Sequence, residues 1–171
     1  MKSLYLVRHA KSSWADPSLA DKERPLNKRG LRDAPLMGQR LAARKVRVDA
    51  IWSSPAQRAL ETAHFFASAL KYPRKSIELH DRFYTNTIDD LLREIRFCTD
   101  EIKSLVVVGH NPVISEFANF LIGHGKDVDI ESIPTCGIVA IDFELPSWQL
   151  LREQEGRFLF FDYPKKDITP L

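Results

Sequence analysis

The stretch Leu4-Tyr-Leu-Val-Arg-His-Ala-Lys-Ser12 decides the fold, because its apolar run has strand character and stops abruptly at Arg8-His9, beside a third basic group, Lys11. A strand that stops this way leaves reactive side chains at its end. Strands of open α/β sheets end in the crevice where ligands bind. A histidine held there between cations is placed to meet an anion, and phosphate suits such a cluster best. The stretch therefore predicts a sheet edge built for phosphoryl chemistry.

Two further junctions repeat the design. In Trp52-Ser-Ser-Pro-Ala-Gln-Arg58 a strand ends, Ser54 is placed to cap a helix, Pro55 suits the first helical position and Arg58 follows one turn later. In Val108-Gly-His-Asn-Pro112 the strand end carries His110, with Asn111 as cap and Pro112 at the first helical position. Free backbone N–H groups and helix dipoles at both junctions add to a cradle for a dianion, into which Arg58 and His110 reach from separate strands.

The remainder alternates strand and helix as βαβ units do. Ser3 to Val7 reads as a buried strand, Trp14 to Pro25 as a polar loop, and Leu26 to Arg44 as a helix capped by Asn27. A strand over Asp49 to Ser53 precedes a helix over Ala56 to Leu70, whose inner face is Ala59, Leu60, Ala63, Phe66, Ala67 and Leu70. Ser76 to Leu79 (strand), Asp89 to Phe97 (helix), Ser104 to Val108 (strand) and Pro112 to Ile122 (helix) follow. Gly137 to Phe143 and Leu159 to Phe161 are further strands, the second paired with Trp148 to Arg152 as a hairpin. The fold class expected is α/β, a three-layer αβα sandwich with a mostly parallel central sheet and antiparallel edge strands.

Composition bounds the rest. The chain has 171 residues, 44% of them hydrophobic, and no repeat or linker divides it, so one domain over residues 1–171 is expected, without a lid or cap domain. Cys98 and Cys136 cannot build a disulfide framework, no Cys/His cluster has zinc spacing, and no signal sequence or membrane span is legible. The expectations are a cytoplasmic protein that acts as a monomer, with no membrane partner. Net charge is +2 but uneven, since residues 1 to 50 carry 12 basic and 5 acidic residues. Those basic residues are interleaved with leucines and alanines and lack an aromatic stacking pattern, which argues against nucleic acid.

Leu6-Val-Arg-His-Ala10, Ser53-Ser-Pro-Ala-Gln-Arg-Ala59 and Val108-Gly-His-Asn-Pro112 together resemble the histidine phosphatase superfamily, or phosphoglycerate mutase-like fold. Arg24-Pro-Leu26, Arg29-Gly30 and Pro134-Thr-Cys-Gly137 narrow the likeness to its small phosphohistidine phosphatase branch, the SixA type. The resemblance implies that His9 is the nucleophile and carries a phosphohistidine intermediate. Arg8 and Arg58 would then grip phosphoryl oxygens, and His110 would donate where charge spreads in the transition state. No metal and no cofactor are implied.

Blander readings exist for each residue: a surface ion pair with Glu61 or Asp81 for Arg58, and a hydrogen bond to a backbone carbonyl for His110. Lys11, Ser12 and Arg24 either line the anion pocket or belong to a solvated loop, while His64, His80 and His124 read as structural. The proton donor is the open point. Mutase relatives carry a glutamate in a Gly-containing stretch after the third strand, whereas here that region reads Leu79-His-Asp-Arg-Phe-Tyr84. Asp21, in the loop after the nucleophile, is the first candidate, with Asp81 and Asp16 as alternatives. A missing acid suits a leaving group that needs little help, and imidazole, with a pKa of about 6.5, is such a group. His9 and Arg58 are 49 positions apart, and Arg58 and His110 are 52 apart, spacings that strand and helix nearly fill. The expected substrate is thus a phosphohistidine-bearing protein, and the resemblance implies one of the phosphotransfer-domain or sugar-transport-carrier type. The alternatives are a phosphatase of small phosphate esters and a non-catalytic phosphate-binding module.

Overall fold

The computed structural model describes residues 1–84, 87–127 and 129–166. β1 (Lys2–Arg8) is its central strand, paired in parallel with β4 (Ser104–Gly109) on one side and antiparallel with β6 (Ile138–Phe143) on the other. β2 (Ala50–Ser53) and β3 (Glu78–Leu79) extend the sheet beyond β4; β7 (Gly156–Asp162) and β5 (Ile122–His124) extend it beyond β6. The order is β3-β2-β4-β1-β6-β7-β5. β6 alone runs against its neighbours, so the antiparallel strand lies inside the sheet rather than at its edge.

Helices cover both faces. α1 (Lys28–Ala43) and α2 (Gln57–Leu70) press Met37, Leu41, Ala63 and Phe66 against Tyr5, Val7, Ile51 and Val106. α3 (Ile88–Arg96) and α4 (Val113–Leu121) press Leu91, Ile95, Phe117 and Leu121 against Leu4, Leu6 and Val107. Alternate residues of β1 thus enter two separate cores, which is why Leu4 to Val7 is apolar without a break. Among the described residues no helix is long and apolar enough to cross a membrane.

Several expected local features differ. Trp148–Leu150 forms a 3₁₀ turn, not a hairpin strand: Ser147 caps it, and Trp148 drops into the core with its indole N–H on the Ile102 carbonyl at 2.7 Å. β7 pairs instead with β6 and with β5, a strand too short to show a period. Gly123 in β5 allows the backbone of Gln154 to pass, because a Cβ there would lie 1.9 Å from the Gln154 carbonyl oxygen. Arg74–Ser76 is a 3₁₀ turn, so β3 keeps only two residues. On α2, Leu60 and Leu70 are only partly buried, and the inner face is completed by Arg58 and Thr62.

Candidate active site

The carboxyl end of β1 is held from both sides. The His9 N–H donates to the Gly109 carbonyl at 3.1 Å, the Arg8 N–H to that of Gly137 at 3.1 Å, and the Cys136 N–H to those of Arg8 and His9 at 3.0 and 3.1 Å. Behind it, the Thr62 hydroxyl accepts from the Ala10 N–H at 3.0 Å and donates to the Arg58 carbonyl at 2.8 Å, tying α2 to the strand end. These bonds fix the backbone on which His9 and Arg58 stand.

The four residues expected at the site do converge. The His9 ring lies 5.0 Å from the His110 ring, centroid to centroid, and His9, Arg58 and His110 are all buried. His9 Nδ1 is 2.7 Å from the Ala10 carbonyl oxygen, an acceptor, so Nδ1 carries the proton and Nε2 keeps its lone pair. Burial, with His110, Arg58 and Arg8 adding to it, lowers the His9 pKa to about 3 against the pull of the Ala10 carbonyl. Burial, then Arg58 and Arg8, lowers that of His110 to about 4 although Asp21 opposes them. Burial thus favours the neutral form of both rings.

The junctions are built differently from the expected caps. α2 begins at Gln57 with Ala56 before it, and the Ser54 hydroxyl accepts from the Ala56 N–H at 3.2 Å while meeting His110 Nε2 at 2.8 Å. Ser54 therefore orients the second histidine instead of capping the helix. At the other junction α4 begins at Val113 with Pro112 before it. The Asn111 side chain donates to Ser132 and to the Ile133 carbonyl and accepts from Ser115, pinning the 132–133 loop. That loop holds Arg8, whose Nη1 donates to Ile133 O at 2.9 Å. Arg8 Nε is buried without a hydrogen-bond partner among the described residues.

A cavity of about 240 Å³ opens here, lined by Arg8, His9, Lys11, Ser12, Trp14, Arg24, Arg58 and Thr135. It is strongly cationic, and none of its lining side chains is acidic. Arg24 is nearly inaccessible: it bonds to Ser12 Oγ at 2.5 Å and to the Ser13 carbonyl at 3.0 Å, and its guanidinium stacks 3.3 Å from the Trp14 ring centroid. Lys11 lies at the mouth, exposed. Gly30 of α1 lets this loop close, since a Cβ there would meet the Lys11 carbonyl oxygen at 2.2 Å.

Arg58 pairs with neither Glu61 nor Asp81. Its Nη1 donates to the Asp21 carbonyl at 2.7 Å and its Nη2 to Asp21 Oδ2 at 3.0 Å. Asp21 Oδ1 accepts from Arg24 at 2.9 Å, and the Tyr84 hydroxyl donates to Oδ2 at 2.6 Å. Led by the Tyr84 bond and followed by Arg24 and Arg58, these donors hold the Asp21 carboxyl far below the usual carboxylate range. Asp21, the expected proton donor, is thus present at the site but ionised. Asp16 instead bonds Ser18 in its own loop, and Asp81 opens the 3₁₀ turn before Tyr84. Sequence reasoning missed Tyr84, Thr62, Thr135, Trp14 and the role of Ser54. Only Thr62, a polar residue at a core position of α2 one turn after Arg58, and Trp14, a large aromatic in a polar loop, carried a signal. Among the described residues no group of three or more His, Cys, Asp or Glu side chains could hold a metal ion.

The histidine phosphatase superfamily (branch 1) matches residues 4–101. An uncharacterized protein of Mycobacterium leprae is 30% identical over 167 residues, 93% of this chain and all of the relative. A SixA-type protein of Agrobacterium tumefaciens, described as a phosphohistidine phosphatase, superposes with a TM-score of 0.77 at 28% identity, over 95% of this chain and 98% of that one. A protein histidine phosphatase SixA complexed with tungstate shares the fold, with a TM-score of 0.77 at 19% identity over 94% and 96% of the two chains.

Proposed function

The chain belongs to the histidine phosphatase superfamily and is a phosphatase with a histidine nucleophile, and from that premise we propose that it removes phosphate from phosphohistidine in a protein substrate, through an intermediate on His9. We take residues 1–171 as one domain without a lid, so that the open cavity admits a protein surface.

The steps follow from the site. His9 Nε2, its lone pair free because Nδ1 donates to Ala10, attacks phosphorus, and the bond from phosphorus to the leaving group breaks. Arg8 and Arg58 bind equatorial oxygens, Arg58 exchanging its Asp21 contacts for phosphate, with Lys11 and Arg24 adding positive charge at the wall. His110, turned by Ser54, supplies a further donor, and the bound dianion raises its low proton affinity. The phosphorylated His9 ring retains the proton on Nδ1. When water attacks phosphorus the ring therefore departs as neutral imidazole, and the water's proton passes to bulk solvent or phosphate.

One observation carries the choice of substrate: the carboxyl group beside Arg58 is surrounded by donors and stays ionised, and no acidic side chain among the described residues lines the cavity to serve a leaving alkoxide. A phosphohistidine needs none. Its far ring nitrogen, with a pKa of about 6.5, takes a proton from water, and the ring leaves neutral. The descriptions of the SixA-type relatives agree with this reading. It is tested by comparing kcat/KM for a carrier protein phosphorylated on histidine with kcat/KM for phosphoserine peptides, sugar phosphates and glycerate phosphates. The phosphohistidine protein should lead by at least ~10²-fold, of the size expected when a needed proton donor is missing. A small ester that matched it would make the enzyme an ester phosphatase of the same fold.

A further inference from the structure

Tyr84 ends the Leu79-to-Tyr84 stretch, and its hydroxyl is committed to Asp21. It donates to Asp21 Oδ2 at 2.6 Å, the oxygen that also accepts from Arg58 at 3.0 Å. The ring meets the His110 ring edge-on at 5.6 Å and carries Lys22 Nζ 5.2 Å over its face. Its backbone is anchored from below: the preceding residue, Phe83, is fully buried, and the His80 N–H donates to the Ser53 carbonyl at 2.9 Å, joining this turn to the strand end behind Ser54. Tyr84 is therefore a fixed post.

We propose that Tyr84 is a specificity-determining residue, which acts by keeping Asp21 a carboxylate throughout turnover and so confines the enzyme to phosphoryl groups on nitrogen. Among the described residues, the groups facing that carboxylate are donors or cations: Arg24 on Oδ1, Arg58 and Tyr84 on Oδ2, Lys22 beyond the Tyr84 ring and His110 at its edge. A proton on either oxygen would point at another donor. Substrate changes this balance unequally. A phosphoryl dianion draws Arg58 away from Asp21, which by itself would let the carboxyl take up a proton and serve an ester. The Tyr84 hydroxyl is neutral and committed to Asp21, so the dianion does not remove it. The inference rests on the phosphohistidine reading for its meaning, but its test reads Asp21 separately.

The experiment measures Tyr84→Phe, which keeps the ring against His110 and removes only the donor. Between pH 5 and pH 8, kcat/KM is determined for a histidine-phosphorylated carrier protein and for glycerol phosphate. The ratio of ester to phosphohistidine turnover should rise roughly tenfold over wild type, the worth of one hydrogen bond to a charged group. The ester rate should also climb more steeply as pH falls, because it then depends on a protonated Asp21. Adding Asp21→Asn to Tyr84→Phe should abolish the gain. An unchanged ratio, a parallel change in both substrates, or a gain that survives Asp21→Asn overturns the proposal. A wild type that prefers esters at every pH would instead overturn the phosphohistidine reading, while the pH profile of Tyr84→Phe still reports on the coupling to Asp21.

Discussion

Arg8, His9 and Arg58 line the cavity and His110 packs against His9 at 5.0 Å; this floor stands at strand ends and on the first turn of a helix, with His9, Arg58 and His110 buried and Arg8 half-buried. Beside it stand Trp14, which lines the cavity, and Asp21 and Tyr84, which meet Arg58 and His110; in this rim the Trp14 residue is 73% exposed and the Asp21 side chain 49%. Arg8, His9 and His110 lean on fixed partners: the Ile133 carbonyl, the Ala10 carbonyl and the Ser54 hydroxyl, which itself accepts a backbone N–H. Rim groups lean mostly on one another and on the arginines. The difference teaches a division of labour. Groups preorganised by backbone suit the steps shared by all phosphoryl transfer through histidine, while groups tied to each other can be exchanged without disturbing the sheet and so suit the choice of leaving group.

The largest expected effect separates the two regions outright. His9→Ala should fold and should lose all measurable turnover, while quenched wild-type enzyme should hold acid-labile, alkali-stable phosphate on His9. Phosphate trapped on serine or aspartate would falsify the assignment of the nucleophile.

Next in size, Arg58→Ala and His110→Ala should each lower kcat on the order of 10²-fold or more, as removal of one transition-state donor does. Vanadate should bind both variants weakly. Ser54→Ala should cost less, roughly tenfold, because His110 stays in place but loses the partner that orients it. Were Ser54→Ala as damaging as His110→Ala, the hydroxyl would itself contact phosphate. Near-normal rates in either of the first two variants would leave the floor without its clamp.

The floor was legible in the sequence because each of its residues sits at the end of a local pattern. Leu4 to Val7 is apolar throughout, Trp52-Ser-Ser and Val108-Gly-His each end a strand, and a reactive residue follows every time. The rim was not, since the bond between Asp21 and Tyr84 joins residues 63 positions apart through two loops, and no period or spacing encodes it. Asp21 could be named as a candidate acid but not as an ionised partner of Arg58, because its protonation state is set by neighbours supplied by tertiary contact. The two caps failed for a related reason. Ser54 and Asn111 have the right chemistry to cap, yet tertiary partners, His110 for one and Ser132, Ile133 and Ser115 for the other, compete for the same side chains.

A smaller effect tests whether the floor is as dry as its geometry implies. The folded pKa values of His9 and His110, about 3 and about 4, lie below the unfolded value of 6.5. Between about pH 4 and 6.5 the unfolded chain binds protons that the folded chain refuses, so stability is full above 6.5 and drains as pH falls through that window. Wild type should lose several degrees of Tm between pH 7 and pH 5, and His110→Ala should lose less over the same range. Equal slopes would mean that the His110 ring takes up its proton freely, and that the floor is wetter than the rim it was set against.

The smallest effect belongs to the charge around the rim. Residues 1 to 50 carry 12 basic and 5 acidic residues, and Lys11 and Lys22 stand exposed near the cavity and Asp21. Exposed charges act over about 8 Å at physiological salt, far enough to orient an approaching acidic protein but not to alter chemistry on a buried floor. For a histidine-phosphorylated carrier, kcat/KM should therefore fall a few-fold as salt rises from about 0.05 to about 0.5 M, while kcat stays level. Reversing one of these charges with Lys22→Glu should flatten that dependence. Turnover of free phosphohistidine, which presents no protein surface, should respond less to either change. If protein and free amino acid respond alike, the basic segment contributes only to the anion site itself, and selection of the partner rests on contacts at the rim.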